Sequence, residues 1–434
     1  MNNLQDYQEK LVTAFDAVSH IKPEDTVVHS MCVSEPPALL HEIANQTRSG
    51  RLFDLKIYTL LPLKHSKESY LADDVIDKNK PHSWFVSSFD RRAIKEGKSL
   101  FVPNEFYQIP RLIRENMNVD VVVAAVSPMD SNGYFSFGTS NDYTTTAARN
   151  CRTLILEVNP NMPRVFGDSM IHISKVDFVV ENEQELQTFI PHKVGPQAEL
   201  IGRKIADMIP DGATIQLGIG SIPSAVASHL SNHRDLGLHT EVFIPEMVKL
   251  IESGAINGKK KNLHPRKHTF TIAQGDKEMY YYIHDNPAIE SYSVDVMNYP
   301  HNIATQPDMI SINSTIEVDL WGQCNSEYLN GSQFSAIGGQ LDFVRGAYNS
   351  IGGKSIIAFQ STTMNGKSKI VPRLKEGTIV TVPRADTHWL VTENGATNLK
   401  GLDTRERALE IISIAHPDHK DDLLYEAKNM GLIK

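Results

Sequence analysis

Cysteine is scarce in this chain: Cys32, Cys151 and Cys324 stand far apart, odd in number, among 434 residues. That excludes a disulfide framework and a clustered thiolate metal site. No apolar run is long enough to span a bilayer. The opening Met-Asn-Asn-Leu-Gln-Asp-Tyr lacks the basic-then-apolar order of a secretory signal. Positive charge is in deficit, 43 Lys and Arg against 52 Asp and Glu, and a net charge of −9 argues against a nucleic-acid surface. Low-complexity tracts and long linkers are absent too. These absences predict a cytoplasmic globular protein that binds neither nucleic acid nor membrane, long enough for two or three domains with cores of their own.

What the chain does contain is α/β alternation. Leu11, Phe15, Val18 and Ile21 recur at helical spacing and predict a helix over 5–21. Lys22-Pro23-Glu24-Asp25 turns into a strand over 26–31, and Glu35-Pro36-Pro37 opens a second helix. The layout returns 187 residues later, with Pro23 matched by Pro210, Pro36 by Pro223 and Ala38 by Ala225. This predicts two related halves, each beginning helix–turn–strand–turn–helix. Further strands are expected at 55–60, 84–88, 119–126, 153–158, 176–180, 270–273, 309–312, 355–360, 379–382 and 389–392. The fold class is therefore α/β, with mainly parallel sheets covered by helices. A polar stretch ending in His192-Lys193-Val194-Gly195-Pro196 divides domains 1–190 and 191–434. The loops 127–134 and 159–163 both follow strands, where α/β folds place ligands, although their turn residues also suit plain connections.

The second half carries the chemical signal. Ile215, Leu217 and Ile219 alternate as in a strand, Gly218 and Gly220 end it, and Ser221 is placed to cap a helix that tolerates Pro223. Strand, glycine turn and helix start bring free N–H groups to one point, where an anion or a developing oxyanion can sit. A strand over 238–243 carries Glu241 in an otherwise apolar and small run, a costly place for a carboxylate unless it is paired or used. Both features also have a structural reading, as a simple turn and as a strand-end residue facing water. The turn lacks the third glycine of a dinucleotide fingerprint and the lysine of a P-loop. Gly338-Gly339 permits close backbone approach and offers a second oxyanion donor. Gly258-Lys259-Lys260-Lys261 is a basic run suited to a solvated turn or to phosphates.

Several stretches, taken together and in order, resemble one family. They are Ser-Pro-Met-Asp-Ser-Asn-Gly-Tyr-Phe-Ser-Phe-Gly at 127–138, Glu-Val-Asn-Pro-Asn-Met-Pro at 157–163, Gly-Ile-Gly-Ser-Ile-Pro at 218–223, and Leu-His-Thr-Glu-Val-Phe at 238–243. Ile-Glu-Val-Asp-Leu at 316–320 and Gly-Gly-Gln-Leu-Asp-Phe-Val-Arg-Gly-Ala at 338–347 complete the set. The chain resembles the acetyl-CoA hydrolase/transferase family, in particular its butyrate and 4-hydroxybutyrate CoA-transferases. The resemblance implies two similar open α/β domains and CoA transfer from a short-chain acyl-CoA to a small carboxylate such as acetate. The route implied is a glutamyl-CoA thioester, with coenzyme A as substrate, no metal and no resident cofactor, in a homodimer. It implies that Glu241 is catalytic, that Gly218, Ile219, Gly220, Ser221 and Ile222 contact CoA, and that Asn313, Ile316 and Gly339, beside Gly338, belong to the same site. A hydrolase using the same intermediate and a non-catalytic acyl-CoA-binding protein are the alternatives. Ile244-Pro245-Glu246 departs from the family's Ser-Asp-Gly after the glutamate, which bears on substrate preference. Asn394 and Thr381-Val382-Pro383-Arg384 are also off pattern. Glu393-Asn394-Gly395 imitates the catalytic motif of 3-oxoacid CoA-transferases but reads as a turn after the 389–392 strand.

Overall fold

The computed structural model describes residues 2–190 and 193–434. Pro191 and His192, where the expected domain boundary falls, lie outside the described residues. The chain gathers into two compact units. The first comprises Met1–Ile190, Thr269–Met297 and Ser332–Gly338, so two stretches from beyond residue 190 belong to it. The second comprises Pro191–His268, Asn298–Gly331 and Gly339–Lys434.

The first unit is built on β1 (Thr26–His29), β2 (Lys56–Leu60), β3 (Lys80–Phe85), β4 (Leu100–Phe101), β5 (Val121–Val126), β6 (Thr153–Val158) and β7 (Phe178–Glu181). Their order is β7-β6-β5-β1-β2-β3-β4, and every pairing is parallel. β5 reads Val-Val-Val-Ala-Ala-Val and is buried throughout, as a central parallel strand must be when both faces are covered. The order in which successive strands are laid down reverses between β1 and β5. Such a switch point opens a crevice at the carboxyl ends of the strands. Here polar side chains of the chain itself occupy it: Ser30 Oγ accepts from the N–H of Ala125 at 3.2 Å, and the hydroxyls of Ser34 and Thr139 are 2.7 Å apart. The helix α1 (Pro37–Arg48) follows.

In the second unit α2 (Pro196–Ala206) has Pro196 at its start and buries Ala198, Ile201, Gly202 and Ile205, one apolar stripe at helical spacing. Then come β8 (Thr214–Leu217), α3 (Ser221–His229), β9 (Gly237–Leu238), β10 (Met309–Asn313), β11 (Lys354–Ala358), β12 (Trp389–Thr392) and β13 (Gly395–Asn398). The order is β9-β8-β10-β11-β12-β13, parallel except for the terminal β12–β13 hairpin. The switch point lies between β8 and β10. In both halves the first strand leads to the helix that starts near Pro36 or Pro223, so the 187-residue repeat marks a shared layout. The α/β class with mainly parallel sheets is borne out.

Local expectations failed where tertiary pairing overrode periodicity. The helix over 5–21 is two pieces, Asn3–Lys10 and Ala14–Val18. Leu11 bridges to Val179, and Thr13 caps the second piece. The strand expected at 84–88 is the end of β3, which starts at Lys80. Over 379–382 only Val382 pairs, in an isolated bridge to Cys324.

α2 and α3 touch through Gly202, where a Cβ would stand 2.7 Å from the Ala225 backbone carbon. Gly202→Val should therefore force the two helices apart and cost about 2 kcal/mol, read as a lowered urea midpoint. An unchanged midpoint would show that this approach is not a constraint.

Candidate active site

The turn after β8 stands at the switch point, and so does Asn313 at the end of β10. Gln216, buried on β8, ties the two strands. Its side-chain oxygen accepts from Ile312 N at 3.2 Å and from Asn313 Nδ2 at 3.3 Å. Gly218 donates its N–H to Ile312 O at 3.0 Å, so that group serves the sheet and is not available to a ligand. Gly220, at φ +133°, occupies the cap position of α3, and Ser221 is its first helical residue. The expectation that Ser221 caps the helix is thus corrected: the left-handed backbone places glycine there, and no side-chain cap forms. The N–H groups of Ser221 and Ile222 still have no intrahelical acceptor, as at any helix start. Ile219 projects 44% exposed, an apolar surface beside those donors, while Ile222 is buried.

Glu241 lies in a bend between β9 and the short strand Val242–Phe243, which corrects the continuous strand expected over 238–243. Its side chain is held firmly. Asn298 Nδ2 donates to Oε2 at 2.6 Å, and the Gly339 N–H also donates to the carboxyl. Burial outweighs both donors and pushes the carboxyl up to about 7. Gly339 occupies the cap position of α4 (Gln340–Asn349), so the carboxylate faces the positive end of a ten-residue helix. A Cβ at 339 would overlap both the Glu241 carboxylate and the Asn298 amide. Burial alone does not mark a site. Glu35 and Glu157 are likewise pushed up to about 7 but are 2% and 1% exposed, sealed under donors such as Leu63 N and Leu39 N. Glu241, taken as a whole residue, is less deeply buried than either.

Within the second unit the predicted residues are linked. Gly218 neighbours Asn313, and Gln340 Nε2 donates to Ser314 O at 3.0 Å, tying the start of α4 to the 313–316 stretch. Ile316, partly buried, donates its N–H to Asn325 O. Gly338 belongs to the first unit; at φ +56° its carbonyl accepts from Phe106 N, and a Cβ there would press the Phe85 ring. Glu393 and Asn394 form the two-residue turn of the β12–β13 hairpin, with Ser361 donating to the carboxylate. Glu246 opens the helix Pro245–Glu252 and accepts from Ser224 Oγ at 2.5 Å, which joins the off-pattern stretch to the first turn of α3. Lys261 is no solvated lysine. It is 4% exposed and donates to Leu238 O and Lys267 O, bracing the end of β9.

Sequence reasoning missed Asn298. It lies 57 residues from Glu241 in a stretch with no chemical pattern, and only the fold brings it there. It also passed over Asp342, inside the quoted Gly-Gly-Gln-Leu-Asp stretch, whose Oδ2 accepts from the same Asn298 amide at 3.2 Å. No group of three or more His, Cys, Asp and Glu among the described residues could hold a metal ion, and no helix among them is long and apolar enough to cross a membrane.

Parallel sheets in both units, and a carboxylate held by an amide and a helix-start N–H in the second, define an α/β protein. Comparison with known proteins gives its family. The acetyl-CoA hydrolase/transferase N-terminal domain matches residues 1–191 and the C-terminal domain of the same name matches 275–427. The chain is 42% identical to the 4-hydroxybutyrate coenzyme A transferase of Clostridium kluyveri, over 97% of this chain and 98% of that one. It is 38% identical to the butyryl-CoA:acetate CoA-transferase of Anaerostipes caccae, over 99% and 98%. The crystal structure of RipA from Yersinia pestis superposes with a TM-score of 0.96 at 45% identity, over the whole of both chains. The chain belongs to the acetyl-CoA hydrolase/transferase family.

The raised carboxyl has a thermodynamic consequence. An unfolded glutamate ionises near ~4.3, whereas Glu241 does so at about 7. Between those values the folded chain keeps a proton that the unfolded chain has released, so this group's contribution to stability falls as pH rises and is lost above about 7. Glu241→Gln should therefore exceed the parent in stability by roughly 3–4 kcal/mol at pH 8, with the gap closing toward pH 4. A gap equal at both ends, measured by denaturant unfolding, would contradict the raised value.

Proposed function

We propose that this chain is an acyl-CoA:carboxylate CoA-transferase, moving CoA from a short-chain acyl-CoA such as butyryl- or 4-hydroxybutyryl-CoA to acetate. The observation that carries the proposal is the Glu241 carboxyl, with Oε2 held by Asn298. Holding one oxygen leaves the other, Oε1, to attack the acyl-CoA carbonyl. The CoA thiolate departs and a mixed anhydride forms. The thiolate then attacks the glutamyl carbon, giving a glutamyl-CoA thioester and releasing the first acid. An incoming carboxylate reverses both steps. In every step at the glutamyl carbon, negative charge develops on the oxygen that Asn298 and Gly339 face. Each such donor is worth about 3 kcal/mol in related sites. Gly218, Ile219, Gly220, Ser221 and Ile222, with Asn313 and Ile316, receive CoA, and α3 offers its N–H groups and Ile219 its apolar surface. Gly338 shapes the backbone that leads into the Gly339 donor.

Coenzyme A is the substrate, and no metal or resident cofactor takes part in this scheme. The acidic balance argues against nucleic acid, and the family resemblance supports a cytoplasmic homodimer that does not bind membrane; a monomer mass in light scattering would refute the dimer. Incubation with butyryl-CoA and acetate should yield acetyl-CoA and butyrate without net thiol release. Continuous thiol release would identify a hydrolase instead. Gly339→Val should lower turnover by at least about 100-fold while acyl-CoA still binds, and normal turnover in that variant would remove Gly339 from the site.

A further inference from the structure

The amide of Asn298 serves two carboxylates. Its Nδ2 lies 2.6 Å from Glu241 Oε2 and 3.2 Å from Asp342 Oδ2. Asn298 and Asp342 are both fully buried. Asn298 Oδ1 has no hydrogen-bond partner among the described residues, so both bonds that orient the amide are on its nitrogen. Turning the amide over would point its oxygen at two carboxylates, and that repulsion fixes which way the group faces.

The two acceptors differ in one respect. In the reaction proposed above, Glu241 passes from carboxylate to anhydride to thioester, so its pull on Asn298 weakens whenever its charge is lost. Asp342 forms no covalent bond in that scheme. It is the third residue of α4, the helix whose cap residue Gly339 supplies the other donor to Glu241, and an acid in a first helical turn is favourably placed. Asn298 and Gly339 are thus both referred to the start of one rigid element.

We propose that Asp342 is a positioning residue: through the Asn298 amide it keeps a donor aimed at Glu241 while Glu241 itself changes chemical state. The inference rests on the transferase reading. It assigns Asp342 no contact with substrate.

A double-mutant cycle tests it, using Asn298→Ala, Asp342→Leu and the pair, with Asp342→Asn as the conservative variant. The readouts are kcat and KM for CoA transfer, together with borohydride reduction of the glutamyl-CoA thioester, located by peptide mass spectrometry. Each single change should lower kcat by about 10- to 100-fold, with KM for acyl-CoA nearly unchanged. The pair should be no slower than Asn298→Ala, because in this proposal Asp342 affects the rate through that amide. Asp342→Asn retains an acceptor and should recover most of the rate. Should Asp342→Leu fail to fold, Asp342→Asn completes the cycle, and its smaller loss should vanish in the Asn298→Ala background. Losses that multiply, or full activity in Asp342→Leu, would overturn the proposal. An inactive parent chain would instead remove the transferase reading, so the two failures are distinguishable.

Discussion

The Glu241 carboxylate is unfavourable where it stands, because burial withdraws water from a charge and offers only two donors in return. That imbalance leaves the group short of the stabilisation an exposed glutamate enjoys. A carboxylate so placed is poised for chemistry in which its charge is spread or transferred. The surrounding architecture is arranged to hold it there. β9 and Lys261 fix the segment that leads to it, and Asn298 reaches it across 57 residues of chain. The start of α4 is admitted only because residue 339 has no side chain.

The two units show how one layout gives different outcomes. Each has a parallel sheet with a switch point beside its first strand. In the first unit, Ser30, Ser34 and Thr139 fill that point with hydrogen bonds among themselves and the backbone. In the second, Gly218 and Gly220 leave it lined by backbone, with a helix start and Asn313 beside it.

Much of this was legible in the sequence. Continuous apolar runs pointed to the strands β5, β6 and β12, because buried parallel strands need apolar character on both faces. The glycine turn and Glu241 were visible because glycine and a carboxylate are both costly where they stand unless used. Less was visible of what depends on distant partners. The break in the 238–243 strand, the cap role of Gly220 in place of Ser221, and the diversion of the Gly218 N–H into the sheet are set by tertiary pairing. Asn298 carries no local mark at all. Lys261 looked like part of a solvated basic run, since nothing in that run shows that its ammonium closes on two backbone carbonyls.

The central claim, that Glu241 is the group to which the carboxylate substrate is joined, is tested most directly by isotope. During turnover with acyl-CoA and acetate labelled with oxygen-18 in both positions, one acetate oxygen attacks the glutamyl carbon and remains there when CoA takes the acetyl group. Peptide mass spectrometry should find a single oxygen-18 in the peptide containing Glu241, and none in the peptide containing Glu393. Acetyl-CoA formed with no label in the Glu241 peptide, or with the label on Glu393, would contradict the account.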